Sequence, residues 1–180
     1  ITRNCSGLPL SPGKEISNKT VGVIGLGAIG QRTAKLAQAF GCKVIAWNRT
    51  PKEIEGVTIV DKETLFKESD IITLHVALND ETRDFVTAKE LALMKRTAII
   101  VNAARGPVVN AQDLSDALKE GRISGAALDV YDVEPPLDSN NPMLDAPNTI
   151  LLPHIGFATK EAFELRLGIV VNNVEQFCKQ

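Results

Sequence analysis

A chain of 180 residues, 44% hydrophobic and 23% charged, has the make-up of one globular domain with a sizeable core. Its net charge of −2 provides no field for nucleic acid or an anionic membrane, and no apolar run reaches spanning length. Three widely spaced cysteines, Cys5, Cys42 and Cys178, form no Cys-x-x-Cys pair, so they read as free thiols of a reducing, cytoplasmic compartment with no metal site.

Residues 1–19, broken by Gly7, Pro9, Pro12 and Gly13, read as an irregular lead-in. From Thr20 onward short β-branched runs alternate with helical patterns. Strands are expected over 20–25, 43–47, 70–74, 98–102, 124–129 and 149–152, and helices over 28–40, 62–68, 87–94 and 110–120. The first helix places Ile29, Thr33, Leu36, Ala37 and Phe40 on one face and stops at Gly41, a residue that tolerates the left-handed conformation. Strands apolar throughout, such as Ala98-Ile-Ile-Val101, suit a parallel sheet covered on both faces. The pattern predicts a doubly wound α/β domain, a Rossmann fold. Over residues 160–180 a long helix carries apolar side chains around about two thirds of its circumference at ~100° per residue. So wide a stripe needs a second surface, either another domain or another subunit. The expected division is therefore a lead-in at 1–19, a dinucleotide-binding domain at 20–158 and an interdomain helix at 159–180.

The run Val21-Gly-Val-Ile-Gly25-Leu-Gly27-Ala28-Ile29-Gly30 leads from a strand into a helix. In that setting the three glycines have separate tasks: a tight turn, close backbone approach to a pyrophosphate, and close packing of helix on strand. Free N–H groups and the helix dipole then favour phosphate at the helix start. A glycine-rich turn without a ligand is the plain alternative, and the correct flanks argue against it. At the end of the second strand, where an acid would take ribose hydroxyls, the chain reads Asn48-Arg49-Thr50. A guanidinium pairs with a 2′-phosphate that a carboxylate would repel, so NADP is favoured over NAD unless Arg49 is only a solvated loop residue.

Three further segments place reactive groups at strand ends: Asn102-Ala103-Ala104-Arg105-Gly106, Asp129-Val-Tyr-Asp-Val-Glu134-Pro135 and Pro153-His154-Ile155-Gly156. Each residue alone reads more simply as a surface charge, an acidic loop or a core histidine. Together with the glycine loop, the segments resemble those of the D-isomer-specific 2-hydroxyacid dehydrogenases, from about residue 15 onward. The resemblance implies that Arg105 binds the substrate carboxylate and polarises its carbonyl, that Glu134 orients the histidine, and that His154 gives the proton to the oxo group. It sets Asp129 near the nicotinamide carboxamide, with Ala103, Ala104, Arg105, His154 and Gly156 lining the cofactor.

After the third strand the family reads His-x-Pro-Leu-Thr, whereas this chain reads His75-Val76-Ala77-Leu78-Asn79. Ala77 in place of the proline frees a backbone N–H in a loop expected to touch the cofactor, and His75 reads as structural or as a backbone contact. The resemblance further implies a small 2-oxo or 2-hydroxy acid as substrate, a substrate domain missing from this chain, and a homodimer. A nucleotide-sensing, corepressor-like protein on the same fold is the competing reading.

Overall fold

The computed structural model describes residues 14–50, 52–134 and 138–179; Cys5 and most of the expected lead-in lie outside them. Strands β1 (Thr20–Ile24), β2 (Lys43–Trp47), β3 (Val57–Ile59), β4 (Ile71–Leu74), β5 (Ile99–Asn102), β6 (Gly125–Leu128) and β7 (Thr149–Leu151) form one sheet in the order β3-β2-β1-β4-β5-β6-β7. Every pairing is parallel. The helices are α1 (Ala28–Ala39), α2 (Lys62–Glu68), α3 (Ala88–Leu93), α4 (Ala111–Lys119) and α5 (Lys160–Cys178), with a short 3-10 turn at Gly106–Val108. The chain winds outward from β1 to β3, returns to β4 on the other side of β1, and winds outward again. The strand order therefore switches between β1 and β4, where Ile24 pairs with Leu74. At such a point the loops leave in opposite directions and open a crevice at the carboxyl edge of the sheet.

Two apolar clusters hold the layers. Ile24, Ile45, Leu65, Phe66, Ile72, Leu74, Leu91, Ile100 and Leu114 fill the face beneath α2, α3 and α4. Val21, Val23, Leu26, Ala34, Val44 and Ala46 fill the face beneath α1. Short polar caps start the helices: Asp61 accepts from the Thr64 N–H at 2.9 Å, and Asn110 from the Asp113 N–H at 3.1 Å. Thr87 and Glu90 form a reciprocal capping box on α3. Burial raises the Glu90 pKa, but hydrogen bonds from Thr87 and Lys62 more than offset this and hold the carboxyl below its usual range.

The expected strands and helices are present, and three readings need correction. The sheet has a seventh strand, β3, beyond the six expected. It has three residues, lies at the sheet edge and is mostly exposed, too short and too open to leave an alternating signature. On α1 the buried residues are Gly30 and Ala34, while Ile29, Leu36 and Phe40 are exposed. Close helix-on-sheet packing selects the small side chains, so the larger ones mark the outer face. The sheet is also not covered on both faces along its length, since Ile99 and Ile150 are exposed while Ile100, next along β5, is fully buried.

Helix α5 contrasts with the rest. It has 19 residues and none is buried; Phe163, Leu165, Leu167, Ile169, Val170, Val171, Val174 and Phe177 are all exposed. Its first turns touch the body through Phe163 and Arg166, which pack on the Phe157 ring. Among the described residues no helix is long and apolar enough to cross a membrane.

Candidate active site

The crevice between β1 and β4 is built from backbone. Gly25 takes φ +95°, and a Cβ there would lie 2.7 Å from the His75 carbonyl oxygen. A Cβ on Gly30 would collide with the Gly25 carbonyl, whereas one on Gly27 would meet nothing within 4 Å. The first and third glycines are thus required by packing, and the second opens onto free space. Helix α1 begins there with Gly27 as its N-cap and no side-chain cap, which leaves its first N–H groups for an external acceptor. A pyrophosphate fits this arrangement in charge and in room. Gly25, Gly27, Trp47, Asn48, Arg49, Thr50, His75, Val76, Ala77, Asn79, Glu81 and Thr82 line a cleft of about 250 Å³.

Asn48 proves to be a brace. Its Oδ1 accepts from the Leu26 N–H at 2.8 Å and its Nδ2 donates to the Thr50 carbonyl at 2.6 Å, tying the glycine loop to the end of β2. Arg49 is not a free cation: its Nη1 donates to Glu81 Oε2 at 2.9 Å. His75 sits within the wall, 3.1 Å from Thr73 Oγ1 through Nε2, and burial pushes its pKa down.

The second half of the carboxyl edge lies beyond β5, β6 and β7. Asn102 shapes the first of these loops, donating to the Arg105 carbonyl at 2.9 Å and accepting from the Ala104 N–H at 3.0 Å. Arg105 follows as an exposed residue whose Nη1 donates to the Ala104 carbonyl. After β6, the buried Asp129 accepts from the N–H groups of Ile155 at 2.8 Å and Gly156 at 2.7 Å, one on each oxygen. These two bonds clamp the loop after β7 around His154, which takes φ +54°, a left-handed conformation costly for a residue with a Cβ. Glu134 Oε1 accepts from the Tyr131 N–H, and Oε2 lies 2.5 Å from His154 Nδ1. With Nδ1 bonded to a carboxylate, Nε2 is the ring nitrogen left to exchange a proton. Beside the pair, Tyr131, Val133, Leu151, Leu152 and Pro153 line a largely apolar cleft of about 280 Å³.

Residues 6–156 match the family described as D-isomer specific 2-hydroxyacid dehydrogenase, NAD binding domain. The chain belongs to this family. It is 47% identical over 171 residues to a glyoxylate reductase of Thermococcus litoralis, covering 93% of this chain and 51% of that protein. It superposes on an acyclic imino acid reductase in complex with NADPH and D-Arg with a TM-score of 0.83 at 38% identity, covering 93% of this chain and 53% of the other. It likewise superposes on D-lactate dehydrogenase from Aquifex aeolicus, complexed with NAD and lactic acid, with a TM-score of 0.86 at 32% identity, covering 93% of this chain and 56% of the other. The chain spans about half the length of the relatives it matches.

In this 2-hydroxyacid dehydrogenase domain the structure bonds His154 to Glu134 and holds the N–H groups of the adjoining Ile155 and Gly156 on Asp129. Gly25, Gly27, Asn48, Arg49, Thr50, His75, Val76 and Ala77 come together in the other cleft. Arg105 stands on the same sheet edge, but among the described residues no hydrogen bond joins it to the His154–Glu134 pair. Sequence reasoning passed over Asn79, Glu81 and Thr82. The Asn79-x-x-Thr82 spacing, in which each side chain bonds the other's backbone, was the available signal.

Proposed function

We propose that the chain is the dinucleotide-binding half of an enzyme that interconverts a 2-oxo acid and a D-2-hydroxy acid, with NADP preferred to NAD. The observation that carries the reading is the His154–Glu134 pair, clamped by Asp129 on the same sheet edge as the glycine loop. The dinucleotide, when bound, supplies or accepts the hydride. Gly25, Gly27 and the start of α1 hold its phosphates, and Asn48, Arg49 and Thr50 border its ribose. His154 delivers a proton from Nε2 to the carbonyl oxygen, and the Glu134 carboxylate, bonded to Nδ1, keeps the imidazole oriented. Arg105 leaves the Ala104 carbonyl to grip the substrate carboxylate with two parallel bonds, fixing the carbonyl carbon for transfer. Ala103, Ala104, Asp129 and Gly156 border the reacting ring.

The complete protein adds a substrate domain against α5, since a 19-residue apolar helix with nothing buried is not stable as a free surface. That domain closes the cleft against water. The complete protein works as a homodimer, on the family resemblance, and in the cytoplasm, on cysteines that form no Cys-x-x-Cys pair. The test is oxidation of NADPH and NADH by the complete protein with glyoxylate, hydroxypyruvate and bulkier 2-oxo acids. Turnover is expected with at least one acid, at a higher kcat/KM for NADPH than for NADH. No turnover with any acid overturns the enzymatic reading; equal or better use of NADH overturns the preference.

A further inference from the structure

Arg49, which carries the expectation of a phosphorylated cofactor, already has an anionic partner. Its Nη1 lies 2.9 Å from Glu81 Oε2, and the two residues border the same cleft as Gly25 and Gly27. Glu81 is not a loosely placed surface acid. Asn79 Oδ1 accepts from the N–H groups of Glu81 and Thr82, each at 3.0 Å. The Asn79 N–H in turn donates to Thr82 Oγ1 at 2.8 Å, and that hydroxyl donates to the Ala77 carbonyl at 2.7 Å. The backbone that carries Glu81 is therefore fixed to the end of the β4 loop, and its carboxylate is presented at the mouth of the crevice.

We propose that Glu81 sets cofactor selectivity by standing in for a 2′-phosphate on Arg49. This rests on the reading that a dinucleotide occupies the crevice with its ribose beside Arg49. The pair is well exposed, with side chains 72% and 69% accessible, so water screens it and it is readily exchanged. A phosphate near two negative charges offers the guanidinium a stronger and bidentate partner, and displaces the carboxylate. Breaking the Arg49–Glu81 pair costs the phosphorylated cofactor part of what the guanidinium supplies. With an unphosphorylated cofactor that cost does not arise, and Glu81 keeps Arg49 neutralised. Glu81 thereby draws the affinities for the two cofactors together, making the site tolerant of both where Arg49 alone would favour the phosphorylated one strongly.

The test is titration of the complete protein and its Glu81→Gln, Arg49→Ala and doubly substituted variants with NADPH and with NADH, at low and at high salt. The expected result is a rise of about three- to tenfold in the NADPH-to-NADH affinity ratio for Glu81→Gln at low salt, shrinking at 1 M salt. In the Arg49→Ala background the same substitution should leave the ratio nearly unchanged. An unchanged ratio in Glu81→Gln, with both cofactors still bound, overturns the role of Glu81 and leaves the dinucleotide reading standing. A rise that persists without Arg49 shows plain repulsion and overturns the stand-in. Failure of the unsubstituted protein to bind either cofactor overturns the dinucleotide reading and the proposal with it.

Discussion

The two halves of the sheet's carboxyl edge are organised by different means. Where β1 turns into α1 the site is backbone and empty space: an uncapped helix start, a glycine turned onto the His75 carbonyl, and a glycine facing nothing. Around β6 and β7 it is side chains, with Asp129 holding two N–H groups and Glu134 holding both the Tyr131 N–H and His154. A phosphate needs donors and room, which backbone supplies without regard to side-chain type. A proton transfer needs one ring nitrogen in one orientation, which only a network of paired groups can fix.

Substitutions that separate the halves test the contrast. The largest effect is expected from His154→Ala in the complete enzyme, a fall in kcat of about 10²–10⁴. Cofactor dissociation constants should hardly move, because the phosphate half is untouched; parallel loss of cofactor affinity would break the division. Next in size is Gly30→Ala, which drives a Cβ into the Gly25 carbonyl. The expected loss is about 1–3 kcal/mol of stability, together with weaker dinucleotide binding, read by denaturant melts and titration. A variant as stable and as tightly binding as the parent would show that the glycine loop is not packing-limited. The smallest effect lies at the seam. Burial holds the His75 pKa below 6.5, so the unfolded chain takes up a proton before the folded one as pH falls. Stability should therefore decline as pH drops below 6.5, by at most about 1.4 kcal/mol per pH unit from this residue. His75→Gln should flatten that part of the stability profile, and an unaltered slope between pH 7 and 5 would remove His75 as its source.

Much of this architecture was legible in one dimension. The glycine spacing, the six expected strands and the Gly41 stop of α1 are local patterns, each decided within a window of about ten residues. Strand β3 was not legible, because three residues on a sheet edge draw their structure from the neighbour they pair with, Val44 to Ala46. The inner face of α1 was misread for a related reason. Hydrophobicity marks Ile29, Leu36 and Phe40, yet contact distance buries Gly30 and Ala34, with Ala37 partly buried against the same cluster. On α5 the sequence pattern and the structure agree that the apolar surface exceeds what this domain can cover. The sequence singles out Asn48 and Arg49, but their partners could not be read from it. Leu26 lies 22 positions from Asn48 and Glu81 lies 32 from Arg49.

The sequence by itself determined the doubly wound sheet and the glycine turn between strand and helix, and it named the candidate acid–base residues, because strand runs, glycine positions and chemical side chains are written into the chain. Tertiary structure alone decided which of those groups meet. It made Asp129 the clamp of the His154 loop, turned Asn48 into a brace and set Glu81 against Arg49. The reason is that parallel strands gather distant loops onto one edge. Which side chains then pair depends on loop paths that no local pattern encodes.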